Sequence, residues 1–188
     1  MSSNGLRRTK RSAAAVGIAA LALGLTALGG GQAVADSHAG LGGNRILADS
    51  HAGLSGTFEI RNDSGKCLEI TSSSTANGAL AQQWTCKGQA GSKWQWQAAG
   101  GGYYNLVNVH SNKCLEIQSS STKNGAEAQQ WSCNGQNGAK WQLVEVQSGR
   151  YALLNHSGKV LEIANSSHAD GANAQQWEYK GQSGALWY

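Results

Sequence analysis

Apolar and polar residues alternate over short stretches through most of this chain, and clusters of Gly, Ser and Asn break the stretches apart. Cys67-Leu68-Glu69-Ile70 shows the pattern, with alternating character over a few residues ended by a serine-rich turn. Phe58-Glu59-Ile60, Tyr104-Asn105-Leu106 and Tyr151-Ala152-Leu153 open further stretches of this kind. None carries the period of an amphipathic helix, whereas alternation bounded by turn residues marks half-buried strands. An all-β chain of about twelve short strands is predicted.

The pattern also repeats. CLEITSSSTANGALAQQWTCKGQAGSKW (67–94), CLEIQSSSTKNGAEAQQWSCNGQNGAKW (114–141) and VLEIANSSHADGANAQQWEYKGQSGALW (160–187) align without a gap. Trp84, Trp131 and Trp177 are separated by 47 and 46 residues, as are Trp94, Trp141 and Trp187. A unit of about 46 residues cannot bury its apolar face alone, so the three must share a core. Propellers typically need about four to eight blades, and three copies favour a closed β-trefoil. Equivalent packing then assigns Leu68, Ile70, Trp84, Trp94 and their counterparts to the core. Gly-Gln-x-Gly (88–91, 135–138, 181–184) reads as turn chemistry.

The four cysteines follow the repeat. Cys67 and Cys86 are 19 residues apart, and so are Cys114 and Cys133; in the third unit both positions change together, to Val160 and Tyr179. Joint loss predicts a disulfide within each of the first two units, because an orphan thiol is a liability outside the cell. A metal site would need closer ligand spacing and a recurring His.

Residues 1–35 read differently. Arg7, Arg8, Lys10 and Arg11 precede an apolar run from Ala13 to Leu28, and Ala33-Val34-Ala35 forms a small-residue cleavage site. This is the layout of an export signal, too short to span a membrane as a helix. Twin-arginine export remains an alternative to the general route. The leader accounts for much of the composition: the chain has 15 basic and 11 acidic residues, a formal charge of +4, but four of the basic ones lie in residues 1–35 and no acid does. The remainder is neutral, which removes the motive for a nucleic-acid or membrane-surface partner. The predicted organisation is a signal peptide (1–35), a flexible segment (36–56) and a secreted trefoil domain (57–188).

The C-L-E-I … A-Q-Q-W-x-C … W pattern, three times over, resembles the ricin B-type β-trefoil lectins and related trefoil carbohydrate-binding modules. The resemblance covers about residues 57–188. It implies a shallow glycan or polysaccharide site in each lobe, where an acid and a Gln read hydroxyls and an aromatic ring stacks on the pyranose face. Carried over, the candidate residues are Glu69, Gln82, Trp84 and Lys87; Glu116, Gln129, Trp131 and Asn134; and Glu162, Gln175, Trp177 and Lys180. Two departures stand out. The family's Asp is Glu in every lobe, and its Asn-Gln before the last Trp is replaced by Gly91-Ser92, Gly138-Ala139 and Gly184-Ala185. Either the ligand differs from that of ricin or the lobes are scaffold. In the scaffold alternative each Trp packs the barrel and each Glu bonds a turn backbone.

An enzyme is not indicated. Glycoside hydrolysis needs two carboxylates roughly 5–10 Å apart, and the repeated Glu residues are predicted to lie in separate lobes. No Ser sits in a G-x-S-x-G elbow, and no cofactor or metal site is assigned. Before the repeats, ADSHAGL occurs at 35–41 and again at 48–54. This is either tandem copying within a linker or a pair of docking motifs for a secreted protein partner. In the second case Asp36, His38, Leu41, Ile46, Leu47, Asp49, His51 and Leu54 would carry the contact, and residues 43–47 would form a strand with nowhere to pair at home. Asp36-Ser37-His38, freed by cleavage, would also offer an amine and an imidazole to Cu(II) or Ni(II). The internal copy lacks that amine.

Overall fold

A computed structural model describes residues 56–188 and, for the backbone, Arg45–Ile46. Among these residues every regular element is a strand or a 3-10 turn. β1 is Arg45–Ile46, β2 Cys67–Ile70, β3 Ala81–Trp84, β4 Trp94–Gly100, β5 Tyr103–Asn108 and β6 Lys113–Ile117. β7 is Ala128–Trp131, β8 Trp141–Gln147, β9 Arg150–Asn155, β10 Val160–Ile163 and β11 Ala174–Trp177. The first and last of the twelve trefoil positions are held by isolated bridges, Phe58 to Trp94 and Asn62 to Trp187. Arg61 and Tyr188 exchange both backbone hydrogen bonds at 2.9 Å, joining the first strand position to the last. Closure of this kind removes the unpaired edge that an open sheet would expose. The architecture is a β-trefoil.

One hairpin recurs in each lobe. β2 pairs with β3 so that Cys67, Leu68, Glu69 and Ile70 lie opposite Trp84, Gln83, Gln82 and Ala81. β6–β7 and β10–β11 repeat that register residue for residue. Because side chains alternate across a strand, Leu68 and Ile70 enter the core with their counterparts Leu115, Ile117, Leu161 and Ile163. Trp94, Trp141 and Trp187 fill the centre, each donating its indole N–H to the carbonyl of Leu68, Leu115 or Leu161 at 2.9–3.0 Å. A buried indole must find such an acceptor or lose its hydration uncompensated.

The other tryptophan of each repeat corrects the expectation from pseudo-symmetry. Trp84 and Trp131 are 38% and 39% exposed, and Trp177 is half-buried. All three lie at the last position of their strands, where the hairpin opens to solvent.

The cysteine pattern is as predicted. Cys67–Cys86 and Cys114–Cys133 are disulfides, with Cα atoms 5.2 Å apart in both. In the third lobe Val160 joins an apolar cluster with Val144, Ala152, Leu154 and Ala185, and Tyr179 packs against it. Apolar contact there replaces the covalent link.

Arg45 and Ile46 lie opposite Glu145 and Val144 of β8, in antiparallel pairing. The expected unpaired strand at 43–47 therefore has a partner at home, because β8 offers backbone groups beyond those used by β9. The rest of the proposed docking set (Asp36, His38, Leu41, Leu47, Asp49, His51 and Leu54) and the leader lie outside the described residues. Among the described residues no helix is long and apolar enough to cross a membrane.

Candidate functional site

Each hairpin places a Glu and a Gln directly opposite one another, and the pair is bonded. Gln82 donates its amide to Glu69 Oε1 at 2.8 Å, Gln129 to Glu116 at 2.9 Å and Gln175 to Glu162 at 2.8 Å. The second carboxylate oxygen is claimed from the turn that follows. Gln89, Gln136 and Gln182 donate to the Oε2 atoms of Glu69, Glu116 and Glu162. These glutamines belong to Gly-Gln-x-Gly, so the motif is turn chemistry with a second task. The side-chain oxygen of Gln89 accepts from Lys87 N at 2.8 Å, and its amide also reaches Thr85 O at 3.2 Å. The Glu partner is thus a pair of side-chain amides, and the expected bond to a turn backbone is not the one that forms. Each carboxylate is only 5–6% exposed; burial without donors would be costly, and two amides offset it. An ionised carboxylate offers about four lone pairs, so each oxygen keeps acceptor capacity after one bond.

A backbone device recurs beside each carboxylate hairpin. Ser72 and Ser73 both adopt left-handed conformations, φ 55° and 50°, and so do Ser119–Ser120 and Asn165–Ser166. Non-glycine residues there are uncommon and need local compensation. The compensation is visible: Ser73, Ser120 and Ser166 accept from the N–H of Gly91, Gly138 and Gly184 at 2.9–3.0 Å. Those glycines are required by close approach. A Cβ on Gly91 would lie 2.7 Å from Ile70 O and 2.9 Å from Ser73 Cα. The family's Asn cannot occupy that position in this backbone. Gln89, two residues earlier, supplies a side-chain amide to the carboxylate instead.

The neighbouring lobe braces each hairpin. The second Gln of each Ala-Gln-Gln-Trp reaches across the lobe boundary: Gln83 donates to Ser167 O at 2.7 Å and to Ala169 O at 2.9 Å. Gln130 does the same to Ser74 and Ala76, and Gln176 to Ser121 and Lys123. Each acceptor loop ends in a glycine at positive φ lying under the next Trp. A Cβ on Gly171 would stand 3.6 Å from the Trp84 ring, one on Gly78 3.7 Å from Trp131 and one on Gly125 3.5 Å from Trp177. Thus the third lobe backs the first site, the first backs the second, and the second backs the third. Asp170 adds to this bracing in the first lobe by accepting from Thr85 N at 2.8 Å, and the Lys66 ammonium that bonds it holds its carboxyl below the usual range.

On the first lobe a shallow cavity of about 270 Å³ is lined by residues of that lobe. Glu69, Gln82, Gln89, Ser72 and Ser73 line it together with Trp84 and Lys87. All four residues carried over from the family pattern therefore meet there. In the second and third lobes the Glu–Gln pairs and the Trp have the same arrangement. The three glutamines of the turn are the site residues that sequence reasoning passed over; their recurrence in all three repeats was the available signal. Chemically, the site presents a fixed acceptor, amide groups, a hydroxyl and a partly exposed indole face.

The model of a family described as "Ricin-type beta-trefoil lectin domain-like" matches residues 47–101 and 92–177. No curated protein matches the chain. Among solved structures, the designed threefold-symmetric protein ThreeFoil is 37% identical, with TM-score 0.67, over 70% of this chain and 95% of that one. An exo-β-1,3-galactanase from Clostridium thermocellum is 30% identical, with TM-score 0.68, over 71% of this chain but only 29% of the enzyme. The Rhizoctonia solani agglutinin is 20% identical, with TM-score 0.63, over 70% of this chain and 92% of that one, a likeness of fold.

Proposed function

Because the chain belongs to the ricin-type β-trefoil lectin domain-like family, we propose that it is a secreted, non-catalytic protein that binds glycans at up to three sites, one per lobe. The observation that carries this reading is the pairing of a Trp outside the core, exposed in two lobes and half-buried in the third, with a carboxylate held by two amides in every lobe. A sugar offers a C–H face to the ring and hydroxyl donors to the carboxylate. Rings placed for packing alone would be buried, as Trp94, Trp141 and Trp187 are.

Two agglutinating or sugar-binding relatives lend support by name, the Rhizoctonia agglutinin and a Polyporus squamosus lectin bound to a sialylated epitope. The galactanase does not argue for hydrolysis here, since this chain corresponds to under a third of it. The lining of the first cavity contributes one carboxylate, Glu69, and a hydrolytic pair needs two. Export is supported by the leader-like residues 1–35 and by the two disulfides, which persist in oxidising compartments. Weak sites on one rigid scaffold would gain through simultaneous contact with a polysaccharide. A docking role for residues 36–54 is the weaker reading, because the described part of that segment already pairs with β8.

The test is binding to a panel of immobilised glycans and polysaccharides, comparing the wild type with Trp84→Ala/Trp131→Ala/Trp177→Ala. These rings are outside the barrel core, so the triple variant should keep its β-sheet circular dichroism and lose binding. Failure of the wild type to bind any member of the panel would overturn the proposal.

A further inference from the structure

The three lobes share one scaffold and differ at its rim. The residue after the second cysteine position is Lys87 in the first lobe, Asn134 in the second and Lys180 in the third. Lys180 already has an acidic neighbour, Glu178, at 3.7 Å. Asn134 has no charge. Lys87 lines the first cavity beside Glu69 and Trp84, and among the described residues no carboxylate lies within 4.0 Å of its ammonium. The other charge at that lobe's boundary is cancelled, because Asp170 is paired with Lys66 at 2.8 Å. Glu69, in turn, is fixed by Gln82 and Gln89. The first lobe therefore combines an oriented acceptor, an exposed ring and an ammonium with no acidic partner, and the other two lobes do not.

A pyranose whose exocyclic carbon is oxidised to a carboxylate keeps the hydroxyls and the C–H face of the neutral sugar and adds one negative charge. We propose that the first lobe selects such an acidic sugar, a hexuronic acid, through Lys87, whereas the second lobe makes no distinction of charge. The inference rests on the glycan-binding reading above and deepens it. Lys87 is then a specificity-determining residue, and the lobes of this pseudo-symmetric domain are specialised.

The experiment uses the full chain at low salt and follows the indole N–H signals of Trp84, Trp131 and Trp177 by NMR, assigned with single Trp→Phe variants. The probes are the methyl glycosides of glucuronic and galacturonic acid, and the carboxyl methyl esters of both, which keep the ring and remove the charge. The Trp84 signal should report binding of an acid roughly two- to fivefold tighter than its ester, the size of an exposed ion pair. That preference should fade with added salt, vanish in Lys87→Asn and arise at Trp131 in Asn134→Lys. Equal binding of acid and ester at Trp84, or an unchanged preference in Lys87→Asn, would overturn the inference and leave glycan binding standing. Silence of all three indoles toward these probes, and toward every glycan of the panel described above, would overturn both.

Discussion

Gln89 offers the sharpest test of how the site is built. Replacing it with Ala removes the amide donor from Glu69 Oε2 and leaves Oε1 with Gln82. Because Glu69 is 5% exposed, water can reach the vacated place only from the cavity and replaces the lost bond in part. A hydrogen bond to a charged group contributes about 1.5–3 kcal/mol. Of the accompanying bonds, that to Lys87 N is exposed and that to Thr85 O part-buried, and both are between neutral groups, so they add little. The expected loss is therefore about 2 kcal/mol. With a urea dependence of roughly 1–3 kcal/mol per molar, the unfolding midpoint should fall by about 1 M. The assay is equilibrium urea unfolding with the disulfides intact, followed by tryptophan fluorescence. Gln97→Ala, an exposed change on β4, serves as the reference and should stay within about 0.5 kcal/mol. Gln136→Ala and Gln182→Ala should repeat the Gln89 result in their own lobes. A Gln89→Ala midpoint that coincides with that of Gln97→Ala would show the turn glutamine to be ornamental and would refute the reasoning.

Trp94→Ala should cost about 3–5 kcal/mol as a core truncation, whereas Trp84→Ala should cost much less and act on glycan binding; thermal unfolding and binding measured on both proteins check the contrast. Gly138→Ala should destabilise by about 1–3 kcal/mol, since its Cβ would stand 2.5 Å from the Ile117 carbonyl, a backbone atom that cannot swing aside; calorimetry reads the fall in Tm. The Glu59 carboxyl is held below its ordinary range chiefly by the Lys93 ammonium at 2.9 Å, with help from Arg61 and Ser92. Its contribution is complete above the usual carboxylate range and is lost as pH falls through the depressed value. Urea unfolding across acid pH should show a shallower decline in Lys93→Met than in the wild type.

Much of this molecule was legible one repeat at a time. Alternation predicted the strands, gapless recurrence predicted three lobes, and joint replacement of Cys by Val160 and Tyr179 predicted which lobes carry disulfides. These are local or periodic properties, and a chain that repeats itself states them three times. The fates of the two tryptophans in each repeat were not legible. Trp84 and Trp94 recur with equal regularity, yet one faces solvent and the other fills the barrel, because recurrence reports equivalent surroundings and does not say which surroundings they are. The partner of β1 was likewise hidden, since β8 comes beside it only after closure.

The sequence by itself determined the short strands and the number of times their unit occurs, while the register that sets each Glu opposite its Gln was read from the structure. Tertiary structure alone decided that a turn glutamine completes the carboxylate, that glycine is obligatory beside the left-handed serines, and that every hairpin is braced by the lobe before it. The physical reason is the reach of each interaction. Alternation and register act between residues close in the chain, whereas Gln83 meets Ser167 and Ala169 across more than eighty residues, and only the closed barrel brings them within a hydrogen bond.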